Sequence, residues 1–505
     1  DLVEEPLFNG ANAAWDSRNR LYLALVKNDP KELDAARWFI DPNLAISNRW
    51  GMLEDFSFHF HGPLPHTGGY GEGFTTSVAR YLYLTQGTRW APPIEQRDLL
   101  ARFLIEHVRW VMIGSTMDIS VQGRVLTRHD NAYRHLSAML LMLQVEHHHV
   151  DALRAAAAEV LRRDDWPLPL ETATLQHLAT ESAESAEALT GFRFYPMSDL
   201  AVMRRPTWYA SVRMYSERLI DYEGNWGWNL RGWFLTYGLT YVTRTGAEVY
   251  TARTVTEAGV ETRRDRSIMN THWDWDRQPG TTTRPGVHPP KAYNIGTSRI
   301  AGGAGDGRRG VAGFILRPAA GDFVARKSYL FFDEGFMAAG SHIASTAEGH
   351  DKPIVTTVGQ WAGPRGDPPI HLSGERAIGA LDEPRAYDDV RWAWFDGVGY
   401  VFPEPVDLHI QRRGPVVTLW LDHGANPDGA TYQYLVLPDA DLATTRRHAA
   451  RPPVKVMIDD VGHAYHVETS DAMAMAAFTA GRIGPVAADG PAFVYQARPA
   501  QPSAP

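Results

Sequence analysis

The hydrophobic pattern of this chain changes near Gly191, and that change limits the possible folds more than any other feature. Before it, apolar residues recur at the 3.6-residue spacing of amphipathic helices. After it, short apolar segments at close intervals are separated by turn signals, a pattern typical of antiparallel strands. The sequence therefore predicts a helical region followed by a β region.

The clearest helical stripe consists of Leu99, Leu100, Phe103, Leu104, Val108 and Val111. Helices are also predicted over 15–26, 138–145, 151–163 and 170–189, which favours an all-α array or toroid. Strands are predicted over 208–215, 311–316, 329–332, 416–421 and 432–437. The predicted fold class is α then β, multidomain, with a helical α/α toroid domain at 1–190, a large antiparallel β-sandwich domain at 191–451 and a small C-terminal β domain at 452–505.

Composition narrows the possible functions. The chain has 505 residues, with 44% hydrophobic and 22% charged residues, which is typical of globular proteins with more than one domain. It contains no Cys, which excludes disulfides, thiolate metal sites and a Cys nucleophile. The formal net charge of -9 argues against nucleic acid as a partner. No apolar stretch is long enough for a transmembrane helix, so no membrane partner is expected.

The segment Ser57–Gly71 concentrates proton-handling side chains. It contains His59, His61, His66 and Tyr70 among several Gly and Pro residues. Because Gly and Pro disfavour regular helix and strand, we predict a loop of fixed shape. Histidine and tyrosine can act as general acids or bases. The alternative is a structural turn whose histidines only satisfy backbone groups.

Several motifs follow one another along the chain: Gly10-Ala11-Asn12, the segment from His61 to Tyr70, Gly123-Arg124 through Arg128, Tyr222 through Trp233, Pro279-Gly280-Thr281-Thr282 and Ala325-Arg326-Lys327-Ser328. In their order and gaps this set resembles the polysaccharide lyases of the hyaluronate lyase, chondroitin AC lyase and xanthan lyase family. That family has G-A-N, S-F-x-Q-H with a later Y-G, G-R-x-x-x-R, E-x-x-N-G-E-N, P-G-T-T and A-R-K-S.

The resemblance implies a helical toroid followed by antiparallel β-sandwich domains. It also implies β-elimination, in which a uronate within an acidic polysaccharide loses its C5 proton and the 4-linked sugar leaves. The product carries a 4,5-unsaturated uronate end. The expected partner is this acidic polymer, hyaluronan-like, chondroitin-like or xanthan-like, and the expected location is secreted or periplasmic. No cofactor and no metal ion are expected.

The resemblance assigns roles by position. Tyr70 matches the family's base and acid, Asn12 and His61 match the groups beside the substrate carboxylate, and Arg124 matches the arginine that activates the tyrosine. Glu223 matches a glutamate of the β domain and completes the expected catalytic set. A free phenol loses its proton only at high pH, with a pKa of ~10, so a tyrosine base needs positive charge nearby. The expected substrate-binding residues are Arg128, Trp15, Asn225, Trp226 and Trp228.

Alternatives stay open at this point. Asn12 could be a helix cap, and the two arginines could form a solvated face. His59 with His61, or the run His147–His149, could bind a metal ion, although no partnered carboxylate motif accompanies the run. Asp221 and Glu223 could be the carboxylate pair of a glycoside hydrolase. A non-catalytic, sugar-binding relative of the fold is the remaining alternative.

The chain also departs from the family pattern. The family's N-G-E-N is replaced by Trp226-Gly227-Trp228-Asn229, and Phe60 stands where Gln precedes the histidine. Family members carry several more helices before the G-A-N motif. We therefore expect the helical toroid to be incomplete here, with a separate N-terminal chain or fragment as a possible partner that completes it.

Overall fold

A computed structural model describes residues 10–126, 132–162, 168–180, 187–225, 228–244, 272–346, 349–362, 368–374, 376–379 and 381–497. The chain divides into two compact units, residues 1–189 and residues 190–505, called here the helical unit and the β unit. The predicted order of a helical region followed by antiparallel sheets is confirmed. The further division of the β unit at residue 452 stays a prediction.

The helical unit is built mainly from α-helices. Its α-helices are α1 (Gly10–Lys27), α2 (Pro30–Ile40), α3 (Glu72–Thr85), α4 (Ile94–Phe103), α5 (Arg109–Val111), α6 (Tyr133–Met142), α7 (Val150–Leu161), α8 (Leu170–Ala173) and α9 (His177–Thr180). Two short antiparallel pairs accompany them, β1 (Gly51–Met52) with β2 (Phe58–His59) and β3 (Met112–Ile113) with β4 (Thr116–Met117). No helix among the described residues is both long enough and apolar enough to cross a bilayer.

Two predicted helices differ from the structure. The stripe ending at Val111 is helical throughout, but its middle, Leu104–Val108, widens into a π-helical turn. Within the predicted helix over 170–189, the described residues form the two short helices α8 and α9 and an irregular segment at 187–189, and residues 181–186 lie outside the described residues. His177 Nδ1 hydrogen-bonds the carbonyl of Thr174 at 2.8 Å, and such local side-chain bonds compete with a continuous helix.

The β unit begins with an antiparallel meander of four described strands. They are β5 (Gly191–Tyr195), β6 (Leu200–Arg204), β7 (Tyr209–Arg213) and β8 (Leu239–Thr243), paired in chain order. All five residues of β6 and of β7 are buried. Both faces of these central strands are therefore covered, and even Arg204, Ser211 and Arg213 are buried.

The large sheet of the β unit has twelve described strands, all antiparallel. They are β9 (Thr282–Thr283), β10 (Ala301–Gly305), β11 (Gly310–Leu316), β12 (Phe323–Phe332), β13 (Gly335–Ser345), β14 (Val355–Ala362), β15 (Ile370–Leu372), β16 (Arg376–Ile378), β17 (Leu381–Phe395), β18 (Val398–Arg413), β19 (Val416–Asp422) and β20 (Asp428–Leu437). The main path runs β10-β11-β12-β13-β20-β18-β17-β15-β16, while β19 joins β18 to β14 and β14 pairs with β9.

The last part of the β unit adds α10 (Leu442–Ala450) and a smaller sheet. Its strands are β21 (Val454–Ile458), β22 (Gly462–Val467), β23 (Ala472–Ala477) and β26 (Ala492–Gln496), with a separate hairpin of β24 (Gly481–Ile483) and β25 (Val486–Ala488). Tyr465 and Ala474 of this sheet pack with Leu330 and Leu435 of the large sheet in one hydrophobic core. The two sheets are therefore held together by burial of apolar side chains.

Lys327 explains why two of the sequence motifs occur together. It lies on β12, is fully buried, and its ammonium donates to the carbonyl oxygens of Tyr237 and Gly280 and to the Thr282 hydroxyl. Burial lowers the pKa of Lys327 well below its usual value. The A-R-K-S strand and the P-G-T-T loop are thus joined through one side chain.

Candidate active site

The segment Ser57–Gly71 is only partly the loop that the sequence predicts. It begins with β2, turns at His61, whose φ of 60° is left-handed, and ends in a π-helical turn over Thr67–Gly71 that continues into α3. The backbone N–H of Gly71 donates to the His66 carbonyl at 3.0 Å. Tyr70 therefore lies on the first turn of a helix, and the loop prediction is wrong for these last five residues.

Aromatic rings surround Tyr70 within the helical unit. The Tyr70 ring centroid lies 4.3 Å from that of Phe60, 4.6 Å from His61, 4.9 Å from His66 and 5.6 Å from Trp15. His61 and His66 both present their rings at steep angles to the phenol. These contacts restrict the orientation of the Tyr70 side chain, as a catalytic group requires.

Arg124 bridges the predicted histidine and tyrosine. Its Nη2 donates to the Tyr70 hydroxyl oxygen at 3.0 Å, and its Nη1 lies 2.9 Å from His61 Nδ1. Because a guanidinium only donates, His61 Nδ1 accepts this bond and the proton of the neutral ring is on Nε2. The same cation stabilises negative charge on the phenol oxygen more than it stabilises the neutral phenol.

The first helix carries two of the predicted site residues, Asn12 and Trp15. Both lie in α1, three residues apart, and so share one face of the helix. Trp15 contacts the Tyr70 ring, which places Asn12 one turn earlier along the same face. Asn12 lies inside α1, so the structure does not support a role as helix cap. Its half-buried side-chain amide has no hydrogen-bond partner among the described residues.

His66 is a site residue that the sequence analysis did not assign. It is buried, and its Nδ1 accepts the backbone N–H of Tyr70 at 3.2 Å. The ring fits between two glycines: a Cβ added to Gly69 would lie 2.2 Å from it and one added to Gly123 would lie 2.3 Å from it. The sequence signal that could have identified it is a histidine four residues before Tyr70, together with glycines at positions 69 and 123.

Two buried histidines fix Thr67, the first residue of the π-helical turn that carries Tyr70. His107 Nε2 lies 2.8 Å from the Thr67 hydroxyl, and His135 Nε2 donates to the Thr67 carbonyl at 3.1 Å. His135 Nδ1 is 3.0 Å from the hydroxyl of Thr75. Burial lowers the pKa of His135 to about 4, so this ring is neutral near pH 7.

The remaining predicted residues belong to the β unit or lie outside the described residues. Glu223 is buried, and its Oε1 accepts a hydrogen bond from the Tyr293 hydroxyl at 3.2 Å. Asn225 Nδ2 donates to the same hydroxyl at 2.9 Å, and the Asn225 and Trp228 backbones pair with each other. Arg128 and Trp226 lie outside the described residues. The participation of Glu223, Asn225 and Trp228 in the site stays a prediction.

Two protein-family models match this chain. Residues 190–449 match the model described as polysaccharide lyase family 8, super-sandwich domain. Residues 5–158 match the model described as polysaccharide lyase family 8, N terminal alpha-helical domain. The chain belongs to polysaccharide lyase family 8. The resemblance drawn from the motifs is therefore confirmed, and the two family 8 models correspond to the helical and β parts of the fold.

Named relatives agree with the family 8 assignment. The chain is 27% identical to a xanthan lyase from Bacillus sp. (strain GL1), over 90% of this chain and 52% of the relative. It is 25% identical to chondroitinase-AC from Pedobacter heparinus, over 94% and 65% of the two lengths. It is 28% identical to a hyaluronate lyase from Thermasporomyces composti, over 87% and 60%. The chain thus spans about half to two thirds of the length of these curated relatives.

Solved structures show the same family 8 fold. A Paenibacillus xanthan lyase superposes with a TM-score of 0.83 at 21% identity, covering 98% of this chain and 50% of the other. A chondroitinase AC lyase superposes with a TM-score of 0.81 at 23% identity, covering 97% and 71%. At these identities the likeness shows the fold alone.

Proposed function

We propose that this chain cleaves an acidic, uronate-containing polysaccharide by β-elimination, with Tyr70 as base and acid. The observation that carries the proposal is the Arg124 side chain, which contacts both His61 and the Tyr70 hydroxyl. Relatives named for xanthan, chondroitin and hyaluronan support a polymer of one of these kinds. Such polymers are extracellular, so a secreted or periplasmic location belongs to the same proposal.

The first requirement of the reaction is neutralisation of the uronate carboxylate. Removing the neighbouring C5 proton creates a second negative charge, which hydrogen-bond donors must stabilise. The free amide of Asn12 and the Nε2–H of His61 are donors suited to this task. His61 presents that N–H because its Nδ1 accepts from Arg124.

The second requirement is proton transfer. In the proposed step the phenolate oxygen of Tyr70 takes the C5 proton, and the electrons of the C5–H bond move toward the carboxylate carbon. The C4–O4 bond then breaks, a C4–C5 double bond forms, and the phenol returns a proton to the leaving O4. Arg124 stabilises the phenolate before the transfer and contacts the bridging oxygen after it.

The β unit contributes orientation in this proposal. Glu223 and Asn225 are held by the Tyr293 hydroxyl, and we assign them to positioning the substrate or its cationic partners. Arg128 supplies a second cation for the polyanion. Trp15, Trp226 and Trp228 are assigned as aromatic surfaces for sugar rings, and the ring contact of Trp15 with Tyr70 supports this for the first of them.

A glycoside hydrolase is the second candidate function, and the hydrogen bonds of Asp221 argue against it. The Asp221 carboxylate accepts hydrogen bonds from the backbone N–H groups of Tyr222 and Asn294 and from the Asn294 amide. Burial raises the pKa of Asp221 to about 6. A carboxylate committed to three local donors stabilises its loop and is poorly placed to serve a sugar.

The test is digestion of a panel of polymers: hyaluronan, chondroitin, xanthan and a neutral glucan. Elimination produces a conjugated unsaturated uronate, so ultraviolet absorbance should rise with at least one uronate polymer and not with the glucan. Hydrolysis would release reducing ends without that rise. No absorbance change with any uronate polymer, from well-folded protein, would contradict the proposal. Tyr70→Phe separates a lyase from a sugar-binding relative, because only the lyase loses a measurable activity.

A further inference from the structure

The β unit contains a cavity of about 550 Å³ that no step of the proposed reaction uses. Tyr215, Lys291, Tyr293, Asn294, Arg317 and Phe323 are among the residues that line it. This volume is within the usual range for small-ligand sites, and it is large enough for one or two sugar residues. The lining combines aromatic rings with two cations, which is the chemistry that recognises an acidic sugar.

The two cations are available for a ligand. Lys291 and Arg317 are both exposed, and neither forms an ion pair with another described residue. No Asp or Glu occurs among the described residues that line the cavity. In a chain with a formal net charge of -9, a concave site with two cations and no acid is a local exception.

The wall that carries Tyr293 is rigidly built. Tyr293 N–H donates to the Tyr222 carbonyl at 3.0 Å, and Gly296 N–H donates to the Leu219 carbonyl at 3.1 Å. Asp221 binds both the backbone and the side-chain amide of Asn294. The segment 293–296 is therefore fixed against 219–222 before any ligand arrives, which lowers the entropic cost of binding.

Tyr293 adopts a conformation that its own backbone does not favour. Its φ is 66°, in the left-handed region where a bulky aromatic residue is unusual, and 38% of its surface is exposed. Strained residues of this kind persist where the surrounding structure requires them, often at binding sites. The same side chain holds Glu223 and Asn225 through its hydroxyl, so the cavity wall is continuous with the predicted substrate-binding segment.

We infer that this cavity is an accessory subsite for a uronate residue of the polysaccharide. Lys291 and Arg317 bind the sugar carboxylate, and the ring of Tyr293 contacts a face of the pyranose. This inference rests on the proposed function for the class of polymer. It adds a binding site on the β unit whose effect should appear in affinity for longer chains and not in the chemical step.

The experiment uses the full chain carrying Tyr70→Phe, so that oligosaccharides are bound and not cleaved. Titration calorimetry with size-defined oligosaccharides of hyaluronan, chondroitin sulfate and xanthan compares this protein with the same chain carrying Lys291→Gln and Arg317→Gln. We expect the double substitution to raise Kd for at least one uronate oligosaccharide by about tenfold or more, because two charge-assisted contacts are lost. The matched control is Arg447→Gln with Arg482→Gln, which removes two cations from elsewhere on the β unit and should leave Kd unchanged.

Two further arms identify the recognised group. With carboxyl-reduced oligosaccharide the double substitution should no longer change Kd, because the carboxylate that Lys291 and Arg317 recognise is already absent. Unsulfated and sulfated chains should show the same effect of the double substitution, whereas an effect confined to sulfated chains would overturn recognition of the carboxylate. Equal Kd values for the pocket variant and its parent would overturn the subsite. These titrations need no turnover, so their outcome is separate from the absorbance assay that tests the lyase proposal.

Discussion

Arg124 donates a hydrogen bond to the Tyr70 hydroxyl at 3.0 Å, and this bond joins residues 54 positions apart in the chain. Tyr70 lies on the π-helical turn before α3, and Arg124 follows a short 3₁₀ turn at Ile119–Val121. The contact brings a permanent cation to a phenol oxygen inside a set of aromatic rings. The proposed chemistry depends on this pair more than on any other contact of the molecule.

Replacing Tyr70 with Phe tests the proton transfer directly. The ring and its contacts with Phe60 and Trp15 are kept, while the hydroxyl that receives the Arg124 hydrogen bond is lost. We expect kcat to fall by about 10²–10⁴-fold, the usual contribution of general acid–base catalysis. Oligosaccharide affinity, measured by calorimetry, should stay within a few-fold. Retention of most of the activity would show that another group takes the proton.

Replacing Arg124 with Lys keeps the charge and removes the double contact. A lysine cannot donate in a fixed fork to both His61 and Tyr70, so either the histidine or the phenol loses its partner. We expect kcat to fall by about 10²-fold. The control is Arg102→Lys, at an arginine that forms a surface ion pair with Glu106. An equal fall in kcat in this control would show that the effect is not specific to Arg124.

Adding one methyl group at Gly69 tests the positioning role of His66. The new Cβ would lie 2.2 Å from His66 Cε1 and Nδ1, closer than real Cβ contacts allow, so the ring must move. Gly123 closes the opposite side, and the hydrogen bond from Tyr70 N–H should be lost. For Gly69→Ala we expect kcat to fall at least about tenfold and stability to drop by about 1–3 kcal/mol.

The control for that substitution is Gly490→Ala, where the added methyl meets nothing within 4 Å. Kinetics and thermal unfolding of both variants should be compared with the parent. Adding His66→Ala to Gly69→Ala should lower kcat no further, because the hydrogen bond from Tyr70 N–H to His66 is already lost in the single variant. Unchanged kinetics in Gly69→Ala would show that the position of His66 has no effect on the reaction.

His135 predicts how stability depends on pH. Its folded pKa of about 4 lies below the ordinary value of 6.5, so between these values the unfolded chain binds a proton that the native protein does not. The free energy of unfolding therefore falls as the pH drops below 6.5, and this loss levels off near pH 4. The full effect of this one group is on the order of 3 kcal/mol.

Denaturant unfolding between pH 7 and pH 4 measures this effect. In His135→Gln, an amide can keep the bond to the Thr67 carbonyl but cannot take up a proton, so the fall in stability should be smaller by up to ~3 kcal/mol. His177→Gln, at an exposed histidine, is the matched control. An equally steep fall in His135→Gln and in the parent would show that other groups govern acid unfolding.

The sequence predicts the fold well where local patterns and tertiary packing agree. The strands over 311–316 and 416–421 are found as β11 and β19, because their apolar runs are buried in the sheet. In the described part of the predicted helix over 170–189, two short helices replace one continuous helix, because side-chain bonds such as that of His177 compete with it and Leu170 is 83% exposed. The periodicity of apolar residues alone does not reveal such competition from side-chain hydrogen bonds.

For the candidate site, motif spacing identifies Arg124, His61 and Tyr70, and the structure places their side chains in contact. Their catalytic roles stay predictions. His66 is missed because its importance comes from space left by Gly69 and Gly123, and a missing side chain is visible only in three dimensions. The helical position of Tyr70 is missed for a similar reason, since the cap that starts the turn is the His66 side chain.

The most direct test of the central claim is the mass of the products formed from one uronate oligosaccharide of known composition. Elimination through Tyr70 predicts two products whose masses add up to the mass of the intact substrate, because no water is incorporated. Hydrolysis would give products heavier by the mass of one water molecule in total. Products of the first kind from the parent and none from Tyr70→Phe are the predicted result, and water incorporation in the parent would contradict it.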